Sequence, residues 1–263
     1  MRIRSLDIIL GLTIVLGCSL AASAQTKLST QPAKTPPLVK TPDLSGVWMR
    51  NGPPASNGAM QYWIFEFNVE EPPMTAWGEA QYKANKSSFG DHPYPLEETN
   101  DPIYHGCFPT GVPRVYLHPW PMQILQASSE VVILFEYDSL RREIYTDGRP
   151  HDAALVPLWM GDSIGRWEGD TLVVDTVNFN DRTWIDRIGH PHSDQLHVME
   201  RFRRPDHDHL VDDITIEDPK AYTKPWTTRL ELRLRPDWRL TEQFCEDGES
   251  FQQLEKKETA PGK

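Results

Sequence analysis

The feature that most constrains the fold of this chain is a repeated alternation of apolar and polar residues over short segments. Residues 227–235 show it most clearly, because Leu230, Leu232 and Leu234 are separated by charged residues. A period of two places alternate side chains on opposite faces of a β-strand, and it is typical of a strand with one face in a core. In the other segments, we likewise expect the residues that alternate with the polar ones to face the core.

The segments with this pattern follow one another at the spacing of β-hairpins. Many are separated by short turns such as Glu168-Gly169-Asp170. The chain lacks a strand–helix–strand rhythm and contains 23 prolines, which disfavours parallel sheets and long helices. We predict an all-β fold, an antiparallel up-and-down meander with one or two short helices, one of them over residues 73–86. Strands are predicted at residues 44–48, 62–67, 122–127, 131–137, 142–147, 163–167, 171–179, 197–204, 210–217, 227–235 and 239–246.

About nine or ten strands are enough for a meander to close into a barrel. The first strand ends in Gly46-Val47-Trp48, and a Gly-x-Trp tripeptide followed by a meander resembles the lipocalins and their calycin relatives. This resemblance implies a lipocalin-like barrel that holds a ligand. A β-sandwich and a half-open sheet are the alternative architectures.

A second resemblance covers nearly all of the chain after residue 24. It is carried by CFPTGVPR at 107–114, IYTDGRPH at 144–151, SIGRWEGDTLVVDT at 163–176 and the stretch 180–204. These runs resemble a family of exported bacterial proteins that is common in soil organisms. The resemblance implies export and a single domain, and it carries over no reaction and no catalytic residue.

The first residues have the organisation of a secretory signal peptide. Two arginines precede an apolar run at 8–20, and Ala22-Ser23-Ala24 fits a cleavage site. The mature protein is then periplasmic or secreted, with no membrane span; a lipoprotein anchored through Cys18 is the alternative. We divide the chain into a signal peptide (1–24), a flexible linker (25–42), a single β-barrel-like domain (43–251) and a disordered tail (252–263).

Cleavage after Ala24 also decides how many cysteines remain. It removes Cys18 and leaves Cys107 and Cys245. In an oxidising compartment, two cysteines with none left over predict one disulfide bond. Two buried free thiols are the alternative.

The formal net charge of −11 disfavours the basic surface that nucleic acids and anionic membranes require. The sequence also has no Gly-rich phosphate loop, no Rossmann fingerprint and no G-x-S-x-G elbow. Nucleotide cofactors and the usual serine-hydrolase chemistry are therefore not expected. The expected partner is a small-molecule ligand or substrate, and the oligomeric state is left open.

Three carboxylates fall on the apolar faces of predicted strands. By strand parity, Asp175, Glu200 and Glu242 each share a face with apolar side chains. An ionised carboxylate in a core is costly unless it is paired, and such groups often serve acid–base chemistry. The alternative is a structural network with arginine, and a register error of one residue would reverse the assignment.

A loop between two predicted strands is rich in groups that carry chemistry. His190, His192 and His197 lie within eight residues, and Trp184, Asp186 and Arg187 come directly before them. Such a loop at the mouth of a barrel can supply an acid, a base, an anion clamp and a stacking wall. The spacing matches no strong metal signature, so we predict no metal site, with zinc as a minor alternative. The alternative is a polar loop whose histidines have only a structural role.

A second candidate group precedes the main run of strands. Arg114, Tyr116 and His118 alternate, so in an extended segment they would project to one side and contact a ligand. Arg114 could equally neutralise one of the buried acids. With Trp184, Asp186, Arg187 and Glu242, these three residues form the predicted ligand-binding set.

These observations favour an exported enzyme that holds a small organic substrate in a barrel cavity. Glu200, Asp175 and the loop histidines would move protons, as in an isomerase, a lyase or a hydrolase without a diffusible cofactor. Arg114 or Arg187 would stabilise developing negative charge. A lipocalin-like binding protein for an apolar or aromatic small molecule is the alternative, and a surface interaction module is a weaker one.

Overall fold

Short antiparallel strands joined in sequence form a closed barrel. The computed structural model describes residues 41–50, 67 and 70–245, and within them there are nine strands, each paired with its neighbours in sequence, with β9 pairing back to β1. The predicted signal peptide, most of the linker, the tail and nearly all of the predicted strand 62–67 lie outside the described residues. The strands are β1 Gly46–Arg50, β2 Met122–Gln126, β3 Glu130–Phe135, β4 Arg141–Tyr145, β5 Asp162–Glu168, β6 Thr171–Val177, β7 His197–Arg203, β8 His209–Glu217 and β9 Trp226–Leu234.

The predicted all-β barrel with one or two short helices is confirmed, with one difference in strand direction. β4 and β5 are parallel, pairing Ile144 with Ser163, whereas the other neighbouring strands of the described barrel are antiparallel. A closed ring with an odd number of strands cannot alternate direction throughout, so one parallel pair is required. The long connection from residue 146 to residue 161 allows the chain to return to the same end of the barrel.

Between β1 and β2, the described residues form two short helices and one 3₁₀ helix. Helix α1 spans Ala76–Ala84, and the Thr75 hydroxyl caps it by accepting a hydrogen bond from the Gly78 N–H (3.1 Å). Helix α2 spans Pro102–Gly106 and is capped by Asp101. The 3₁₀ helix Arg114–Leu117 is buried over its whole length. It inserts Tyr116 toward the barrel interior.

The predicted strand at 239–246 is wrong. Residues 239–245 form no strand, apart from an isolated bridge between Tyr137 and Gln243, and Phe244 is 57% exposed. Because β9 already pairs with β1 and closes the barrel, no free edge remains for another strand. The alternation of Leu240, Glu242 and Phe244 therefore has no sheet to join.

The barrel interior contains a buried ion pair among apolar side chains. Arg142 on β4 donates to both carboxylate oxygens of Glu200 on β7, at 2.8 and 2.5 Å, and the two side chains are 1% and 0% exposed. Arg142 also donates to the hydroxyls of Ser163 (3.1 Å), Thr176 (2.8 Å) and Tyr116 (2.7 Å). All five guanidinium N–H groups are therefore used. Tyr116 in turn donates to Glu200 (2.9 Å).

A second interior carboxyl group lies close to this pair. Asp212 on β8 is fully buried and accepts a hydrogen bond from the Arg201 N–H (3.1 Å). Burial raises the pKa of Asp212 well above its usual range, and the nearby Glu200 carboxylate raises it further. Burial and the Glu200 carboxylate therefore both favour the protonated form of Asp212 beside the ion pair.

The predicted disulfide between Cys107 and Cys245 is confirmed. The two Cα atoms are 5.4 Å apart and 138 residues apart in sequence, a distance that suits the bond. The disulfide ties the segment after α2 to the end of the described chain. No helix in the described residues is long and apolar enough to cross a membrane.

Removing the disulfide should destabilise the barrel by relaxing the unfolded chain. The double variant Cys107→Ala/Cys245→Ala should have a free energy of unfolding lower by about 2–5 kcal/mol, measured by thermal or urea denaturation. A reductant should lower the wild-type midpoint to that of the variant and leave the variant unchanged. Equal midpoints for the oxidised wild type and the variant would contradict this role.

Breaking the interior ion pair should cost more than removing it altogether. Glu200→Leu leaves Arg142 buried without a counter-ion, which should lower the free energy of unfolding by about 3–5 kcal/mol. The double change Arg142→Met/Glu200→Leu should recover most of the loss. Asp213→Asn, which breaks an exposed pair with Arg229, is the matched control and should cost about 1 kcal/mol or less. A double variant as unstable as the single one would contradict this account.

Candidate functional site

The histidine-rich loop between β6 and β7 folds as a small hairpin. Trp184 forms an antiparallel bridge with Pro191, and the Ile185 N–H donates to the His190 carbonyl (2.8 Å). Asp186 closes the tip, since its Oδ1 accepts from three backbone N–H groups between residues 188 and 190, at 3.0–3.1 Å. Gly189 there has a φ of +104°, which favours glycine. The same register sets residue 183 directly across from residue 192.

His190 in this hairpin is a buried cation. Its Nδ1 lies 2.5 Å from Asp186 Oδ2 and its Nε2 lies 2.7 Å from Glu71 Oε2, so both nitrogens donate to carboxylates. Burial alone would lower the pKa of His190, but Asp186 and Glu71 outweigh it and raise the pKa to about 10. The ring also stacks on Tyr82 of α1 at 4.4 Å. His190 therefore joins the hairpin to α1 and to the segment before it.

His192, two residues later, is in the opposite state. Its Nδ1 lies 3.1 Å from the Ser193 carbonyl oxygen, which can only accept, so Nδ1 carries the proton. Its Nε2 then accepts from the Thr183 hydroxyl at 2.7 Å. Burial lowers the pKa of His192 below its ordinary value of 6.5. His192 is therefore a neutral imidazole whose acceptor nitrogen points at a hydroxyl group.

Thr183 and His192 lie on the wall of a cavity of about 320 Å³ at the end of the barrel. The cavity is built from α1, the start of α2, the hairpin and the β8–β9 connection. Two indole rings, two cationic side chains and several hydrogen-bonding groups face it. The lining residues are Trp77, Gln81, Asn85, Pro102, Asp181, Arg182, Thr183, Trp184, Pro191, His192, Ser193 and Lys220. We call this cavity the cleft.

The walls of the cleft are held by buried hydrogen bonds. Asp218 accepts from the Ser193 N–H (2.6 Å) and the Ser193 hydroxyl (2.9 Å). The Tyr222 hydroxyl donates to the Pro191 carbonyl (2.8 Å), and the Asn85 side chain donates to the Gly189 carbonyl (2.8 Å). The hairpin is thus fixed to α1 on one side and to the β8–β9 connection on the other.

Glu200 faces the barrel interior, as strand parity predicted, but not the cleft. Its two oxygens are held by Arg142 and Tyr116. A space of only about 10 Å³ lies beside Tyr116 at one end of the barrel, between Trp48, Trp120 and Phe135, enough for about one water molecule. In this position Glu200 makes the contacts of a structural residue. Its predicted catalytic role stays a prediction.

The predicted inward orientation of Asp175 is wrong. Its neighbours Val174 and Thr176 on β6 face the interior, opposite Glu200 and Val198 of β7, so Asp175 faces outward. There it meets the Nε2 atoms of His197 (3.0 Å) and His151 (3.3 Å). Both faces of β6 are apolar and buried near Val173, so alternation alone could not identify the inner face. His197 lies with Asp175 on the outer surface rather than at the cleft.

The segment with Arg114, Tyr116 and His118 is not extended, contrary to prediction. Arg114 and Tyr116 lie in the 3₁₀ helix, in which residues two apart point in different directions, and His118 directly follows it. Arg114 makes a bidentate, fully buried pair with Asp101 (3.1 and 2.5 Å), and its guanidinium lies over Trp184 at 5.4 Å. His118 stacks on Tyr137 at 3.8 Å. Of the three, Arg114 contacts the cleft residue Trp184, and none lines the cleft.

Arg187 and Glu242 also lie away from the cleft. Arg187 is buried, with its guanidinium 4.0 Å from the centre of the Phe89 ring and 3.4 Å from the Tyr104 hydroxyl. Glu242 is exposed, because residues 239–245 do not form the strand that was predicted. Within the described ranges, no group of three or more His, Cys, Asp or Glu side chains is arranged to hold a metal ion.

Of the predicted site residues, the cleft takes in Trp184 and His192, while Asp186 and His190 shape its hairpin. Thr183, Trp77, Arg182 and Lys220 were not predicted. Thr183 could have been found, since a turn centred on the Asp186–Gly189 stretch sets residues 183 and 192 across from each other. The other three come from different segments that only the tertiary structure brings together.

The charge on His190 should make stability depend on pH. The folded state binds this proton more tightly than the unfolded state, so its contribution is complete below pH 6.5 and is lost as pH rises toward about 10. Urea denaturation across this range should show a falling free energy of unfolding, and His190→Gln should flatten the fall. His207→Gln is the control, because the His207 side chain is 78% exposed. An unchanged slope in His190→Gln would contradict a charged His190.

Comparisons with known proteins found no similarity. No family model matches the chain, no curated protein matches it, and no solved structure matches it. The chemistry of the cleft therefore follows from its own residues, above all from the hydrogen-bonded pair of Thr183 and His192.

Proposed function

We propose that this protein is an exported hydrolase that cleaves a small organic ester in the cleft, with His192 as the general base. The observation that carries the proposal is the hydrogen bond from the Thr183 hydroxyl to His192 Nε2, on the wall of the cleft. Among the reaction classes expected from the sequence, hydrolysis is the one that a hydroxyl donating to a neutral imidazole supports best.

His192 has the properties that a general base requires. Burial lowers its pKa, so it is unprotonated at neutral pH and able to accept a proton. The Ser193 carbonyl holds its Nδ1–H and thereby fixes the tautomer and the ring orientation. The base, its orienting group and a hydroxyl within 2.7 Å make the arrangement that activates a hydroxyl or a water molecule.

The remaining lining residues suit a small planar substrate with a polar group. The volume of about 320 Å³ lies within the range of small-molecule sites. Trp77 and Trp184 offer aromatic surface for stacking. Arg182 and Lys220 supply positive charge for an oxygen that becomes negative during acyl transfer.

The disulfide supports a location outside the cytoplasm. Cys107 and Cys245 are joined, and such bonds persist in oxidising environments. Together with the amino-terminal pattern of a signal peptide, this supports action outside the cytoplasm.

A binding protein for an aromatic small molecule is the second candidate. The two indole rings on the cleft favour it, because stacking on Trp77 and Trp184 needs no catalytic group. In that case His192 would only orient the ligand. Quenching of tryptophan fluorescence by an aromatic ester, with no release of product, would favour this candidate.

The test uses p-nitrophenyl acetate, butyrate and benzoate as substrates. The wild type should release p-nitrophenolate, and His192→Asn, which keeps a donor for the Ser193 carbonyl but removes the base, should lower kcat/KM by about a hundred-fold or more. Because burial lowers the pKa of His192, kcat/KM should stay constant as pH falls to 6.5 and decline only below it.

His207→Gln is the matched control for this test, because His207 is exposed and lies outside the cleft. It should leave kcat/KM unchanged. Hydrolysis of these esters by the His192→Asn variant at the wild-type rate would overturn the role of His192 as the base.

A further inference from the structure

We propose that Thr183 is the nucleophile of this reaction, so that hydrolysis passes through an ester between the substrate's acyl group and the Thr183 hydroxyl. The inference rests on the proposed hydrolase function and goes beyond it, because His192 could instead activate a water molecule. It assigns a covalent intermediate and an acyl substrate class to the cleft.

The direction of the hydrogen bond supports this assignment. Since His192 Nδ1 donates to a carbonyl oxygen, His192 Nε2 has a free lone pair, and the Thr183 hydroxyl must be the donor across the 2.7 Å contact. In the described part of the chain, His192 is the only hydrogen-bond partner of the Thr183 side chain. The oxygen lone pairs of Thr183 are therefore available to attack an acyl carbon.

Gly111 packs closely against the Thr183 hydroxyl, at a position that favours glycine. A Cβ atom on Gly111 would lie 3.2 Å from Thr183 Oγ1 and 3.0 Å from the Trp159 carbonyl oxygen, and Gly111 has a φ of +75°. Any other residue there would be strained and would crowd the hydroxyl. Thr183 is 6% exposed and lines the cleft, so its oxygen meets a substrate in a largely dehydrated place.

The second hydroxyl group on the cleft, that of Ser193, is not placed to act as a nucleophile as the Thr183 hydroxyl is. Ser193 Oγ donates its proton to Asp218 (2.9 Å) and accepts from the Gln195 N–H (3.1 Å). Its proton is held by a buried carboxylate, and it has no imidazole within hydrogen-bond distance. Ser193 therefore holds the wall of the cleft, while Thr183 alone combines a hydroxyl with a base among the described lining residues.

The chemical steps balance with water as the only co-reactant. Thr183 Oγ bonds to the acyl carbon of the ester while its proton passes to His192 Nε2, and the tetrahedral oxygen becomes negative beside the cations of the cleft. The alcohol leaves and takes the proton from His192. Water then attacks the acyl-enzyme, gives a proton to His192, and the acid leaves as that proton returns to Thr183 Oγ.

The experiment locates the nucleophile with a trap that does not turn over. Diisopropyl fluorophosphate should transfer its phosphoryl group to the attacking oxygen with loss of fluoride, and mass spectrometry of peptides should place the adduct on Thr183. The adduct should be absent from Thr183→Val and strongly reduced in His192→Asn. The full chain with its disulfide is used throughout.

Turnover of p-nitrophenyl acetate is measured in the same proteins. Thr183→Val, which keeps the shape and removes the hydroxyl, should lower kcat by about a hundred-fold or more, and Thr183→Ser should keep measurable turnover. Thr241→Val, at an exposed threonine outside the cleft, should behave as the wild type. Circular dichroism and the urea midpoint establish that each variant is folded.

The outcomes separate this inference from the proposed function. If Thr183→Val hydrolyses the ester normally while His192→Asn does not, His192 activates water, and the nucleophile assignment is overturned while the hydrolase function stands. An adduct on another residue overturns the assignment as well. If neither change affects turnover, both proposals fail.

Discussion

The bidentate pair between Arg142 and Glu200 is the interaction around which the barrel interior is organised. A buried guanidinium is tolerated only when its donors are matched, and here all five are used by groups from β5, β6, β7 and the 3₁₀ helix. The pair thus links strands that are far apart in sequence. Burial raises the pKa of the neighbouring Asp212, and the Glu200 carboxylate of the pair raises it further.

The pair also fastens the 3₁₀ helix to the barrel. Tyr116 reaches it from the 3₁₀ helix, donating to Glu200 and accepting from Arg142. The long segment between α1 and β2 is therefore held against the barrel by polar contacts as well as by apolar burial of residues such as Val115 and Leu117. The cleft lies outside this interior, at the end of the barrel, and the barrel supports its walls.

The two histidines of the hairpin show how neighbouring residues acquire different chemistry. His190 lies between two carboxylates and is held as a cation, whereas His192 faces a carbonyl oxygen and a hydroxyl and is held neutral. Environments that push the pKa values of two groups apart assign them different tasks. The charged ring fastens the hairpin to Glu71 and Tyr82, and this attachment holds the neutral ring in place on the cleft.

Local patterns in the sequence determined much of the architecture. Alternation like that in residues 227–235 and the short turns were enough to predict the nine described strands and the barrel, because a strand with one buried face must repeat every two residues. The alternation of side chains along the strand was sufficient to predict that Glu200 faces inward, because its strand has one apolar face. The cysteine count was sufficient for the bond between Cys107 and Cys245.

The tertiary structure decided what local patterns could not. Parity was uninformative for Asp175, because packing covers both faces of β6, and for Glu242, because closure of the barrel left no edge to pair with. The cleft combines side chains from α1, the start of α2, the β6–β7 hairpin and the β8–β9 connection. The charge of each histidine likewise follows from partners as distant as Glu71, 119 residues from His190. Proton affinity depends on burial and neighbouring charge, and these arise only when distant segments pack together.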